Sequence, residues 1–480
     1  MGQSLDSHII ANLGFKPTQN QTSVASHLKA FTHSKKENPV YILKGYAGTG
    51  KTSMISAYVE SLAQMGKKFV LLAPTGRAAK VLTQYTGYKA HTAHRYIYIY
   101  MTNKEGVTSI VMAPNKLENT VFIIDEASMI SDTPQNNNPV FGNSSLLDDI
   151  VKFVFSKRGN KLMLVGDTAQ LPPVGINLSP ALDIENMRRA YSITAFEFEM
   201  IEVMRQSLES GILSSATLIR NKIAQDNTDF PFFRINNSGD VNIISDAHEF
   251  GELLMESFTD RDTDNGIIIC RSNKQANQYN KEIRNRILQR ESELEAGDLM
   301  MVVKNNYFWL EEDSKAGFIA NGDIIKIVRY KETEEIYGFK FADVDIQLVD
   351  YPDEKELNVK LLLNTIDANS PGLPDEENKQ LFANVEESYM DYSNRRTRLN
   401  KIKVNPYYNA LHVKFSYAMT CHKTQGGQWK NVFVDKGYIP EDKFDKEYLR
   451  WLYTATTRAT DNLNLIGFTE EYFEATKDEN

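Results

Sequence analysis

The run Gly45-Tyr46-Ala47-Gly48-Thr49-Gly50-Lys51-Thr52 has the residue types and spacing of a phosphate cradle. Glycines let successive backbone N–H groups curl around an anion with no Cβ in the way. A lysine at the end of such a run can reach the β- and γ-phosphates, and the threonine beside it can ligate magnesium. Apolar residues 40–43 precede the run and the helix-compatible residues 53–59 follow it. Strand, glycine turn and helix therefore come in the order a phosphate-binding loop requires, and the helix N-terminus adds its own attraction for the anion. A nucleoside triphosphate is expected here, with Gly45, Gly48, Thr49, Gly50, Lys51, Thr52 and Ser53 as its binding set.

Two further segments carry matching chemistry. Val121-Phe122-Ile123-Ile124 ends in Asp125-Glu126, which puts two carboxylates at the end of a buried strand. In a nucleoside triphosphatase the first acid helps hold magnesium, with Thr52, and the second orients and deprotonates water. Asp125 is the expected metal residue and Glu126 the expected general base. Leu162-Met163-Leu164-Val165 leads in the same way into Gly166-Asp167-Thr168-Ala169-Gln170. There the amide of Gln170 can touch the γ-phosphate and report its hydrolysis, or the segment is a plain turn into Pro172-Pro173.

The elements that must position these groups read as an α/β fold. Residues 40–43, 69–73, 121–124 and 162–165 are nearly continuous apolar runs, as expected of parallel strands covered on both faces. Residues 96–101 and 107–112 flank a glycine-bearing turn and read as an inserted β-hairpin; residues 131–145 read as a long polar loop. A second alternating region begins near Thr194 and includes the apolar run 266–270 and a helix over 274–288. Short strands at 300–303, 324–328, 336–341, 344–349 and 359–363, with no long helix between them, predict a small antiparallel barrel, followed by a helix over 381–401.

Composition sets outer bounds. Over 480 residues no apolar run approaches the ~20 needed to span a bilayer, and residues 1–6 have neither the basic nor the apolar part of an export signal. Cys270 and Cys421 are far apart in the chain and are expected as reduced thiols in a cytoplasmic protein with no membrane partner. A net charge of −9 disfavours coating nucleic acid by bulk basicity but leaves room for local basic patches such as residues 395–401, which read equally as a solvated helix face. Near the C-terminus, Thr420, His422, Lys423 and Gln425 offer short donors beside Gly426-Gly427, where backbone can approach a phosphate; His422 also reads as a satisfied structural histidine.

Taken in order, these segments resemble the motifs of superfamily 1 helicases of the 5′-to-3′ branch, the RecD-type and Dda-like group. Residues 15–21 resemble the Q motif, 45–52 motif I, and Ala73-Pro74-Thr75-Gly76-Arg77-Ala78-Ala79-Lys80 the RecD-type form of motif Ia. His91-Thr92-Ala93-His94 resembles motif Ib, 125–128 motif II, 166–173 motif III and 201–206 motif IV. Residues 417–426 resemble motif V and 453–459 motif VI, so the likeness runs from about residue 15 to residue 467.

The resemblance implies two RecA-like domains with ATP between them, and an ATP-dependent DNA helicase that moves 5′ to 3′ on single-stranded DNA and unwinds duplex. Residues 1–200 would form the first domain, with a hairpin pin at 96–119. Residues 201–284 with 411–480 would form the second, and 285–410 an inserted barrel-like domain with a helical extension. Gln21 would contact adenine, and Arg205 and Arg458 would be arginine fingers; Met204 stands where some relatives place a base-stacking aromatic. Pro74, Thr75, Thr92 and His94, with Thr420, His422 and Lys423, would contact the nucleic-acid strand. Tyr98 or Tyr100 would stack on the last base pair at a duplex junction or pack across the hairpin, and Tyr307-Phe308-Trp309 would contact DNA or fill the barrel core. A monomer is expected, with single-strand-binding, replication or repair proteins as further partners. The competing readings are an ATPase subunit of a larger recombination or repair complex, an ATPase acting on a substrate other than nucleic acid, and a helicase fold kept only for binding.

Overall fold

Strand β1 (Pro39–Gly45) sends Val40 and Ile42 to one face of a sheet and Tyr41 and Leu43 to the other, and all four are buried. Successive side chains leave opposite faces of a strand, so such a run needs cover on both sides. A computed structural model of the chain describes residues 4–102, 108–133, 145–173, 175–176, 178–203, 210–234, 239–258, 265–311, 314, 318–370, 372–440 and 444–474. Helices Leu5–Asn12, Gln19–His33 and Lys51–Gln64 cover the Tyr41 face, and helix Leu146–Phe155 covers the other. Each side chain wholly buried this way contributes roughly 1.5–3 kcal/mol.

The strands β2 (Lys68–Ala73), β3 (Ala90–Thr92), β4 (Tyr98–Thr102), β5 (Thr108–Met112), β6 (Thr120–Ile124), β7 (Lys161–Gly166) and β8 (Thr194–Met200) follow in sequence. Six of these eight strands make one parallel sheet in the order β3-β2-β6-β7-β1-β8; β4 and β5 pair antiparallel as the expected hairpin. The hairpin begins later than the apolar pattern indicates. Tyr96 and Ile97 belong to a short helix, Ala93–Ile97, because the Thr92 hydroxyl caps it by accepting from the Arg95 N–H and Ile97 turns into the core. The hairpin turn at 103–107 and most of the polar loop (134–144) lie outside the described residues.

A second parallel sheet, β16-β10-β17-β18-β9, is assembled from β9 (Val241–Ile244), β10 (Gly266–Cys270), β16 (Ala418–Thr420), β17 (Trp429–Asp435) and β18 (Ala459–Ile466). Between β10 and β16 the chain leaves to form a closed barrel of β11 (Leu299–Val302), β12 (Ile324–Ile336), β13 (Phe339–Leu348), β14 (Leu357–Leu362) and β15 (Leu411–Phe415). Its interior side chains, among them Met300, Ile325, Val344, Leu361 and Val413, share one core with Ile268 and Phe433 of the second sheet. Two parallel α/β units with a hairpin and a barrel inserted are therefore the observed architecture.

Details of the barrel differ from the sequence pattern. The segments expected as separate strands at 336–341 and 344–349 fall largely in one strand, β13, which pairs with β12 across the two-residue turn Tyr337-Gly338. Both turn residues are left-handed (φ 58° and 76°), the geometry that matches strand twist in a tight hairpin. The closing pair β14–β15 is parallel, whereas the other four pairings are antiparallel. A parallel pair needs a long crossover, and residues 363–410 provide it. That crossover holds two helices, Asp375–Glu387 and Arg395–Lys403, where one was expected, and β15 lies beyond the expected end of the insertion at residue 410.

Candidate nucleotide site and nucleic-acid surface

In the first sheet β7 lies between β1 and β6, so the turns after these three strands converge at the carboxyl edge, where open α/β sheets hold ligands. The turn after β1 needs its glycines. Gly48 and Gly50 are left-handed, and a Cβ on Gly45 would stand 2.9 Å from Lys51 Cγ. Thr49 is wholly buried and donates its hydroxyl to Tyr46 O at 2.8 Å, so it shapes the loop rather than lining the cleft. Lys51 Nζ donates to Gly45 O at 2.6 Å and Tyr46 O at 2.9 Å and lies 3.9 Å from Asp167 Oδ2. An ammonium parked on loop carbonyls is positioned to exchange them for a phosphate.

The two carboxylates after β6 are held differently. Asp125 accepts a hydrogen bond from the Tyr85 hydroxyl through Oδ2, and its Oδ1 accepts from the Glu126 N–H at 2.9 Å. Glu126 is left-handed at φ 52°, an uncommon state for a residue with a side chain and one that clusters at functional sites. Burial raises the pKa of both acids; for Glu126 the Arg458 guanidinium opposes that rise, while Asp125 adds to it. A buried acid pair short of positive charge fits a divalent cation, and Thr52 and Asp125 both line the cavity beside it.

The cavity encloses about 300 Å³ between the two sheets. Gly48, Gly50, Lys51, Thr52, Ser53, Asp125, Glu126 and Gln170 line it from the first sheet. Gln428, Thr457 and Arg458 face them from the second. Gln170 is buried, and its Oε1 has no hydrogen-bond partner among the described residues. Arg458 is 4% exposed, and its guanidinium donates to Thr454 O (3.0 Å), Gly427 O (3.2 Å) and Thr457 Oγ1 (3.2 Å).

Direct hydrogen bonds join the two sides. Tyr453 donates its hydroxyl to Asp167 Oδ2 at 2.7 Å and accepts the Ala47 N–H at 2.8 Å. The Leu171 N–H donates to Thr454 Oγ1 at 2.9 Å, and Gln425 Nε2 donates to Leu171 O at 2.6 Å. Tyr453, Tyr85 and Asp167 carry no role that residue type and spacing alone assign. Tyr453 and Asp167 stand inside quoted motifs, but nothing in their spacing reveals that they meet.

Other expected site residues lie apart from the cavity. Gln21 does not line it. Its Oε1 accepts the Thr18 N–H at 3.0 Å while Thr18 Oγ1 accepts the Gln21 N–H, a capping box at the start of helix Gln19–His33. Arg205 falls in 204–209, outside the described residues, as does Met204.

The expected nucleic-acid residues divide into two groups. Thr75 caps helix Gly76–Thr86, and a Cβ on the left-handed Gly426 would stand 3.1 Å from Thr75 Oγ1, so motifs Ia and V abut. Pro74, Thr420, His422 and Lys423 are half-buried on these turns. Burial lowers the pKa of His422 and brings Lys423 down to about 8. Thr92 and His94 are committed inward: Thr92 caps a helix, and burial pushes the His94 ring down to about 4. Tyr98 sits at the root of the hairpin, its hydroxyl donating to Asp149 Oδ2 at 2.7 Å, and Tyr100's side chain is outside what is described. Trp309 Nε1 donates to Asn409 O at 2.8 Å, which packs it against the barrel's own crossover.

Residues 19–225 match the AAA domain family and residues 415–466 match the UvrD-like helicase C-terminal domain family. An uncharacterized protein of Acanthamoeba polyphaga mimivirus is 22% identical over 93% of this chain and 99% of its own length. The ATP-dependent RecD2 DNA helicase of Deinococcus radiodurans is 30% identical over 36% of this chain, a region that spans 21% of that longer protein. A crystal structure of the Pif1 helicase from Bacteroides in complex with ADP-AlF3 and single-stranded DNA aligns over 95% of this chain and 94% of that one, at 14% identity and a TM-score of 0.47.

Proposed function

We infer that this chain is an ATP-dependent DNA helicase of superfamily 1, of the RecD-type and Dda-like group, which couples closure of the cleft between its two sheets to movement along single-stranded DNA. The observation that carries this reading is one cavity with a phosphate loop and two carboxylates on one wall and a buried arginine on the other. The matches to an AAA domain and to a helicase C-terminal domain, in that order along the chain, support it.

In the proposed cycle Lys51 leaves the loop carbonyls for the β- and γ-phosphates of ATP, beside the glycine backbone and Ser53. Glu126 takes a proton from water as its oxygen bonds the γ-phosphorus. The bond from that phosphorus to ADP breaks, and its electron pair stays on the ADP oxygen. Arg458 and, on the motif resemblance, Arg205 stabilise the charge on the transferring phosphoryl group. Thr52 and Asp125 would hold magnesium, which neutralises phosphate charge when bound. Gln170, whose side-chain carbonyl oxygen has no hydrogen-bond partner among the described residues, registers the γ-phosphate, and Gln21 serves adenine.

Pro74 and Thr75 on the first sheet and Thr420, His422 and Lys423 on the second are the proposed backbone contacts to DNA, which makes binding independent of sequence. Thr92 and His94 act behind that surface, and Tyr98 braces the hairpin that meets the duplex junction. The 5′-to-3′ direction rests on the motif resemblance. Residues 1–200, 201–284 with 411–480, and 285–410 are the proposed domain limits, with the last barrel strand, Leu411–Phe415, lying just past the limit at 410. The protein is proposed to act as a monomer inside the cell, with replication or repair proteins as partners.

The test is strand displacement with ATP and magnesium on duplexes carrying a 5′ or a 3′ single-stranded tail. Unwinding from the 5′ tail alone is expected, with Glu126→Gln lowering kcat for hydrolysis by roughly 10²–10⁴. Unwinding from the 3′ tail alone would overturn the direction, and DNA-independent hydrolysis without unwinding would overturn the helicase reading.

A further inference from the structure

A single loop of the second sheet, Gly426-Gly427-Gln428 running into Trp429, is gripped from both sides by arginines. On the nucleotide side, Arg458 donates its guanidinium to Gly427 O at 3.2 Å, and its carbonyl accepts the Trp429 N–H at 3.0 Å. On the other side, Arg77 of helix Gly76–Thr86 donates to the neighbouring carbonyl, Gln428 O, at 3.3 Å. Its guanidinium carbon lies 4.0 Å from the centre of a Trp429 ring, cation–π geometry.

The fit leaves no room for slack. A Cβ on Gly427 would stand 2.5 Å from Trp429 Cη2 and 2.8 Å from Arg77 Nε. A Cβ on Gly426 would stand 2.9 Å from Ala78 Cβ, and Gly426 is left-handed at φ 74°. Trp429 itself is 3% exposed and packed in the core of the second sheet, so its ring cannot yield independently of the strand that carries it. Gln428 and Arg458 both line the nucleotide cavity. The helix that bears Arg77 begins one residue after Thr75.

We propose that Arg77 is a positioning residue for ATP hydrolysis: stacked on Trp429 and bonded to Gln428, it fixes the 427–429 loop and through it Arg458, so that DNA held at the start of helix Gly76–Thr86 sets the arginine's place in the nucleotide site. This rests on the helicase reading above. The pair transmits state because adjacent carbonyls of one loop answer to two sites: movement of the helix start shifts Gln428 O and Gly427 O together, and Arg458 follows. Arg77 needs no contact with ATP to do this.

The experiment measures ATP hydrolysis by the full chain without DNA and at saturating oligo-dT, for wild type, Arg77→Ala, Arg77→Lys and Trp429→Phe, alongside DNA affinity without nucleotide. Arg77→Ala is expected to lose DNA stimulation by about 5–150-fold, the usual range of coupling between sites, with DNA-free hydrolysis and DNA affinity unchanged. Arg77→Lys and Trp429→Phe keep a cation over a ring and are expected to retain most of the stimulation. A loss that more DNA restores would make Arg77 a phosphate contact only and overturn the proposal. An equal fall in the DNA-free rate would make it merely structural, and no loss in Arg77→Ala would also overturn it. Absence of stimulation in the wild type would instead strike the helicase reading itself.

Discussion

Replacing Tyr453 by phenylalanine removes one oxygen from the centre of the interface between the two sheets. That hydroxyl donates to the Asp167 carboxylate at 2.7 Å and accepts the Ala47 N–H of the phosphate loop at 2.8 Å. A hydrogen bond to a charged group is worth about 1.5–3 kcal/mol net and one between neutral groups about 0.5–1.5 kcal/mol. In an opened cleft water serves all three groups, so the loss falls on the closed state and amounts to roughly 2–4.5 kcal/mol. At 1.4 kcal/mol per decade, closure is expected to weaken by about 30-fold or more. Steady-state ATP hydrolysis at saturating single-stranded DNA reads this as a fall in kcat/KM, and a thermal melt of the variant checks that the fold survives. Asp167→Asn, alone and combined with Tyr453→Phe, completes a cycle in which the two changes are expected to cost less together than their sum. A kcat/KM within about threefold of wild type would refute the idea that this bridge governs closure.

Two further outcomes concern stability. Asp323 is wholly buried beside Asp350, Tyr351 and Arg95, and a Cβ on Gly76 would stand 2.6 Å from its Oδ1; burial pushes its carboxyl up to about 7 from an ordinary 3.8. Because the folded chain keeps a proton there that the unfolded chain has lost, stability is expected to fall as pH rises from about 4 to about 7. Asp323→Asn should therefore melt higher than wild type at pH 8 and gain little at pH 4, and equal differences at both would disprove it. Asp298, fully buried, pairs with Arg284 and Arg290 at 2.9 Å each, so Asp298→Ala removes the carboxylate that two buried guanidinium groups share. A loss of roughly 3–5 kcal/mol in urea unfolding is expected, and a loss under about 1 kcal/mol would show that water replaces the carboxylate.

The strands that carry the chemistry were legible because each is apolar on both faces: residues 40–43, 121–124 and 162–165 sit inside β1, β6 and β7. The phosphate loop was legible because its glycines answer a local demand of the backbone. Features that depend on partners far along the chain were not. In β8 Phe196 and Phe198 are half-buried and Met200 is buried while Glu197 and Glu199 are exposed, as in an edge strand, and this pattern does not announce that it joins β1. The Tyr337-Gly338 turn lacks the Asn-Gly or Asp-Gly pair that marks such hairpins, so β12 and β13 were divided in the wrong places. Tyr98 reads either as stacking on a duplex end or as packing across the hairpin, and neither reading reveals that its hydroxyl donates to Asp149, which lies 51 residues away in sequence. Arg458, expected to reach across the cleft, faces Glu126's wall, but its hydrogen bonds run to its own side.

The last barrel strand ends at Phe415 and β16 begins at Ala418, so only Ser416 and Tyr417 separate the barrel wall from the strand that leads through Thr420 into His422. Ser416 donates its N–H to Leu299 O, Tyr417 O accepts the Ile268 N–H, and Tyr417's hydroxyl lies in the Asp298–Arg290 cluster. The junction is thus a rigid splice rather than a tether, and the barrel is mounted on the second sheet as a stiff arm. A barrel transplanted from another protein of this kind would have to reproduce that splice. Joined through flexible glycine–serine linkers it could fold perfectly well and still rotate idly, like a wheel disconnected from its axle.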